Sequence, residues 1–156
     1  GGPAGQRADA DPSDGLTLEL ERVLPAPPDV AFAAFRDPGQ LAGWWGPQGF
    51  TVASLLFEPR VGERYRIEMQ PPDGDPFFLT GVFREVAPPE RLAFTFVWEE
   101  PDPEDVETLA EVSFADLGES TEILLRQGPF RTEARRELHR DGWSDTLDKL
   151  SAWLRD

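Results

Sequence analysis

Residues 132–154 read TEARRELHRDGWSDTLDKLSAWL, and this stretch decides the fold. Leu138, Trp143, Leu147, Leu150 and Leu154 recur at spacings of three to five, which places them on one side of a helical rod. Thr132 is a candidate N-cap, and Glu133 puts negative charge in the first turn, where the helix dipole favours it. No other segment reads as a long helix. Almost everything before Phe130 reads as strands. A single amphipathic helix that follows a run of strands has to bury its apolar side against the sheet. Whether helix and sheet close fully or leave a cavity is then the functional question.

Upstream of the helix the pattern alternates with period two. Leu16, Leu18 and Leu20 face one way in a first strand over 16–24. Pro25 to Pro28 breaks it and leads into a short helix with Asp29 in its first turn and Val30, Ala33 and Ala34 on one side. Asp37-Pro38 opens a second short helix to Trp44, which Gly46-Pro47 ends. Strands follow at 50–57, at 64–70 with Tyr65, Ile67 and Met69 inward, and at 77–86. Another begins at Leu92, with Leu92, Phe94, Phe96 and Trp98 on one face. A last hairpin spans 107–117 and 121–127 around Gly118. Short loops join successive strands, so the sheet is expected to be antiparallel. Residues 1–15, GGPAGQRADADPSDG, are expected to form a disordered leader, and residues 16–155 a single domain.

Composition narrows the function. The 156 residues carry 30 acidic and 15 basic side chains, a net charge of −15. That argues against nonspecific nucleic-acid binding and against docking on anionic membranes, both of which need clustered Lys and Arg. The chain has no cysteine, which excludes disulfides, thiolate catalysis and Cys-ligated zinc. No apolar run reaches the ~20 residues of a membrane span, and no signal peptide is evident. A cytoplasmic location and no cofactor are expected. The one histidine, His139, cannot build a metal site by itself and reads as a partly exposed helix residue. No GxSxG, GxxxxGK[ST] or GxGxxG motif occurs. The carboxylates Glu99, Glu100, Asp102, Glu104 and Asp105 sit in a proline-containing loop and read as solvated charge.

The informative group is aromatic. Trp44, Trp45, Tyr65, Phe94, Phe96, Trp98, Phe114 and Trp143 come from different elements yet all fall on inward positions. A solid aromatic core and an apolar-walled cavity both fit this pattern.

The segment LPAPPDVAFAAFRDPGQLAGWWGPQGF (24–50) resembles the opening of activator of heat-shock-protein-90 ATPase homologue-like domains, members of the START-like, Bet v 1-like (SRPBCC) superfamily. Further pieces follow in the family's order. They are Val61-Gly62-Glu63-Arg64-Tyr65, Gly81, Val86-Ala87-Pro88-Pro89-Glu90-Arg91-Leu92, and His139-Arg140-Asp141-Gly142-Trp143. The resemblance implies an α+β helix-grip fold, in which a curved antiparallel sheet wraps a long C-terminal helix and two short helices close one end. It also implies an apolar cavity between sheet and helix. Relatives bind lipids, sterols, polyketides or hormones, some catalyse cyclisation, and one branch stimulates the chaperone ATPase. Chaperone activation is not expected here, since the separate N-terminal domain of the eukaryotic co-chaperone has no counterpart in these residues. Gln127 stands where relatives often have His, which removes a candidate acid/base.

The expected function is therefore binding of an apolar or aromatic small molecule, with no catalytic residue assigned. The expected lining is Trp45, Tyr65, Ile67, Met69, Phe83, Phe94, Phe96, Phe114, Trp143 and Leu147. Gln127, Arg126 or Tyr65 would orient the ligand's polar end. A cyclase-like enzyme and a protein-interaction domain, with a protein partner or a homodimer, are the alternatives. Gly142 lowers helix propensity by about 1 kcal/mol relative to Ala, so something is expected to pass close to it.

Overall fold

The computed structural model describes residues 16–156; the leader expected over 1–15 lies outside the described residues. The strands are β1 (Leu18–Leu24), β2 (Thr51–Leu56), β3 (Arg64–Gln70), β4 (Phe77–Ala87), β5 (Arg91–Trp98), β6 (Thr108–Asp116) and β7 (Thr121–Gly128), and burial alternates with period two most cleanly in β3, β6 and β7. The helices are α1 (Pro28–Arg36), α2 (Pro38–Trp44) and α3 (Glu133–Arg155). The strands form one sheet in the order β1-β7-β6-β5-β4-β3-β2, with every neighbouring pair antiparallel. The first two strands thus lie at opposite edges, and α1 and α2 carry the chain from one edge to the other. This is the helix-grip arrangement expected from the sequence.

The two short helices share one residue as punctuation. Asp37 ends α1 and caps α2, its carboxylate accepting the Gly39 N–H at 3.0 Å. Trp44 ties them together by donating its indole N–H to the Ala34 carbonyl at 3.2 Å. The buried face of α1 differs from the expected one. It consists of Ala31, Phe32, Ala34 and Phe35, while Val30 is 45% exposed. Two phenylalanines bury more apolar area than one valine, and they set the rotation of the helix.

α3 begins where expected, with the Thr132 hydroxyl accepting the Arg135 N–H at 3.1 Å. Its buried stripe is His139, Trp143, Thr146, Leu147 and Leu150. Leu138, assigned to this stripe from the sequence, is 53% exposed, and His139 is only 8% exposed. The two neighbours are about 100° apart on the rod. The stripe runs through His139 because its ring finds partners inside the protein.

Half of the interior is solid. Tyr65, Phe83 and Phe94 pack with centroids 5.5 to 6.2 Å apart, Phe94 edge to face against both others and Tyr65 tilted against Phe83. Phe32 and Phe35 of α1 close over Phe114 at 5.2 and 5.4 Å. The buried Tyr65 hydroxyl donates to the Thr95 carbonyl at 2.6 Å. Gly81 makes this approach possible, because a Cβ there would overlap both the Thr95 carbonyl and the Tyr65 ring.

Candidate functional site

At the other end of the strands the sheet and α3 part. The cleft between them holds about 380 Å³, within the range of roughly 300–1,000 Å³ common for small-molecule sites. Its floor is Met69, Phe96 and Trp143. Phe77 and Phe78 of the β3–β4 hairpin form one side, Trp45 to Phe50 another, and Trp98 with the 100–105 loop the third. The lip on α3 is Leu138, Gly142 and Thr146. A second hollow of about 420 Å³ lies over Asp29, Arg36, Gln40 and Pro88-Pro89, outside α1 and α2. Phe32 is its one aromatic residue, so it offers little apolar surface.

Four of the residues assigned to the cavity from the sequence meet in the cleft: Trp45, Met69, Phe96 and Trp143. Tyr65, Ile67, Phe83, Phe94, Phe114 and Leu147 are buried in the solid half of the interior and are not on the cleft wall. Gln127 is 1% exposed, and its amide is engaged at both ends. Its Nε2 donates to the Thr108 hydroxyl at 2.8 Å, and its Oε1 accepts the Trp143 indole N–H at 2.6 Å. Gln127 therefore anchors a wall residue and has no spare end for a ligand. Arg126 points to the other face and pairs with Glu19 at 2.8 Å.

His139 sits at the centre of the open end, and its partners fix its tautomer. Nδ1 lies 2.7 Å from the Arg135 carbonyl and must carry the proton. Nε2 is then the acceptor for the Trp98 indole N–H at 2.9 Å. Burial holds its pKa below the ordinary value of 6.5; the neutral ring is what the geometry requires. Both nitrogens are used, so His139 orients Trp98 and is not poised as an acid or base. Arg135, one turn earlier, donates from Nε and Nη2 to Asp105 Oδ1 at 2.8 and 2.7 Å. This pair fastens the acidic loop to α3 beside the cleft.

The opposite wall is fastened by the chain's single lysine. Lys149 Nζ donates to the carbonyls of Trp45, Pro47 and Phe50 at 3.3, 3.3 and 3.1 Å. Gln48 N–H adds a bond to Asp145 at 3.3 Å. Gly46 and Gly49 give the loop its turn with φ of 98° and 87°. Burial draws the Lys149 pKa down, partly offset by Asp145. Gly142 faces this loop, and a Cβ on it would meet Pro47 Cγ at 3.7 Å, an ordinary contact. The cleft mouth is thus what passes near Gly142, though without forbidding a side chain.

Sequence reading missed Phe50, Phe77, Phe78, Trp98 and His139 as wall residues. Trp98 was legible as an inward position. Phe77 and Phe78 were not, because adjacent strand residues point to opposite faces and only the curl of the hairpin end brings both to the cleft. Among the described residues no group of three or more His, Asp or Glu side chains could hold a metal ion, and no helix is long and apolar enough to cross a membrane.

Comparison with known proteins agrees with this fold. Protein CV1439 of Chromobacterium violaceum superimposes with a TM-score of 0.82 at 28% identity, covering 91% of this chain and 99% of its own. The AHSA1 protein of Silicibacter pomeroyi gives 0.80 at 26% identity, covering 89% and 97%. DynU16, from the dynemicin biosynthetic locus, shares the fold with a TM-score of 0.72 at 22% identity; the match covers 90% of this chain and 47% of DynU16. No curated protein matches the sequence. The sequence model for Activator of Hsp90 ATPase homolog 1-like protein matches residues 25–155, and the chain belongs to that family.

Proposed function

We propose that the chain binds an apolar, ring-containing small molecule in the cleft between α3 and the open end of the sheet. The observation that carries this reading is the cavity of about 380 Å³, whose floor and sides are aromatic. Removing such surface from water on binding is favourable by roughly 25 cal/mol per Å² before ordering costs. The walls are held in place before any ligand arrives: Trp98 by His139, Trp143 by Gln127, and the 45–50 loop by Lys149. Pre-organised walls spare a ligand the cost of ordering them. Binding is favoured over catalysis because the cleft's one imidazole has both nitrogens committed.

The test is titration with flat two- and three-ring compounds, followed by amide NMR. Shifts should concentrate at Trp45, Phe77, Phe96, Trp98 and Trp143, with little change at Phe83 and Phe114. Leu138→Trp, which crowds the lip from an exposed position, should weaken them while leaving the unfolding midpoint within a few degrees. If shifts appear only in the solid half, or no compound produces any, the reading is wrong.

A further inference from the structure

Resting on that reading, we infer that the ligand carries a positive charge: an aromatic or alicyclic amine whose ring lies in the cleft and whose ammonium group sits at the mouth by Glu100 and Asp102. The argument begins with the donors. An anionic head, such as a fatty-acid carboxylate or a phosphate, needs a free cation or several free N–H groups. Arg135 is the only cationic side chain on the wall, and its charge is already balanced by Asp105, which takes the bonds from Nε and Nη2. Arg66 stands over the Phe78 ring at 3.7 Å and is held in a two-bond pair with Glu99. Lys149 points away into the 45–50 loop. Trp98 and Trp143 spend their indole N–H groups on His139 and Gln127. Only Trp45, 5% exposed, keeps an indole N–H with no acceptor among the described residues, and that is a neutral donor suited to a neutral acceptor.

The acceptors point the other way. The wall includes three carboxylates, Glu100, Asp102 and Asp105, against one guanidinium. Asp105 is neutralised by Arg135. Glu100 and Asp102 are exposed, and among the described residues neither pairs with an arginine or lysine. The rings below them add to the effect, since an ammonium group near an indole or phenyl face is attracted by the ring quadrupole. A surplus of negative charge over an aromatic box is complementary to a cation and repels an anion.

The experiment compares three probes that differ only in the head group: 2-naphthylmethylammonium, 2-naphthylmethanol and 2-naphthoate. Calorimetric affinities are measured on the wild type and on Glu100→Gln/Asp102→Asn. Both substituted positions are exposed, and the amide oxygen in Asp102→Asn can still accept the Glu104 N–H that Asp102 Oδ1 accepts at 3.0 Å, so the fold should be unaffected. In the wild type the ammonium should bind on the order of tenfold more tightly than the carboxylate at low salt, with the alcohol between them. The double variant should compress that gap to within about threefold and leave the alcohol unchanged. If the carboxylate binds as tightly as the ammonium, the charge preference is overturned while the apolar cleft stands. A gap that persists in the double variant overturns the assignment to Glu100 and Asp102. Failure of all three probes to bind overturns the cleft reading as well.

Discussion

The two ends of the sheet use the same kind of side chain for opposite results. At one end Tyr65, Phe83, Phe94 and Phe114 pack into a closed core; at the other Trp45, Phe77, Phe96, Trp98 and Trp143 leave about 380 Å³ open. Hydrophobicity cannot be the difference, since both ends are aromatic. What differs is the element set against them. Phe32 and Phe35 of α1 reach down onto Phe114, and Phe57 stacks on Phe83 at 5.2 Å. At the open end no helix descends. The covering pieces are the 45–50 and 99–105 loops, each tied to α3 by a cation, Lys149 in one case and Arg135 in the other. The closed end is sealed by apolar side chains, and the open end is propped by polar bonds.

Truncations at each end should break this symmetry most visibly. Phe83→Ala should cost about 3–5 kcal/mol, as large core deletions do. Phe77→Ala, on the partly exposed cleft wall, should cost no more than about 1–2 kcal/mol. Denaturant unfolding measures both, and equal losses would erase the distinction drawn between the ends.

The props can be tested singly. Trp143→Phe keeps a ring in place but leaves the Gln127 amide oxygen buried without its donor. A loss of about 1–3 kcal/mol should follow. A loss below about 0.5 kcal/mol would show that the amide finds water or another partner and does not hold the wall.

His139 adds a pH dependence. Protonation would turn Nε2 into a donor facing the Trp98 N–H, so the folded state resists it, and burial keeps the folded pKa below the ordinary 6.5. The unfolded chain therefore takes up the proton first. Stability should be complete above about pH 6.5 and should fall as pH drops toward the folded pKa, by at most about 1.4 kcal/mol per pH unit. Glu99 and Glu137 have lowered pKa values, and their contribution is lost only below the carboxylate value of 4.5. Thermal unfolding between pH 8 and pH 5 should show the slope, and His139→Gln should flatten it. A wild type with no slope in that window would contradict a buried imidazole held neutral in the folded state.

The smallest effect belongs to Gly142→Ala. The new methyl meets only Pro47 Cγ at 3.7 Å, so improved helix propensity should raise stability by roughly 0.5–1 kcal/mol. Large aromatic probes should bind more weakly as the lip narrows. A destabilised variant would show that the 45–50 loop cannot accommodate even a methyl group.

How much of this was legible in the sequence follows from how far apart the interacting residues lie. The alternation of 64–70, the start of the second helix at Asp37-Pro38 and the cap at Thr132 are local, and they appear as read. The face of α1 was misjudged because Val30 and Phe32 compete for one core and only packing decides between them. Only part of the cleft was legible: Trp45, Met69, Phe96 and Trp143 were read as inward positions. The rest depends on pairings invisible to periodicity. Trp98 meets His139 across 41 residues, and Gln127 meets Thr108 across 19. A histidine read alone looks like a surface residue, and paired with an indole it becomes part of the wall.

Lys149 has a practical consequence. It is the only lysine in the chain, so the protein has a single ε-amine, and that amine is engaged with three loop carbonyls. Acylating reagents attack only a free, unprotonated amine. The rate at which Lys149 is acylated therefore clocks how often the 45–50 loop lets go, and mass spectrometry can read it from one peptide. A molecule seated against Trp45 should slow that clock, giving an occupancy assay that needs no label on the ligand.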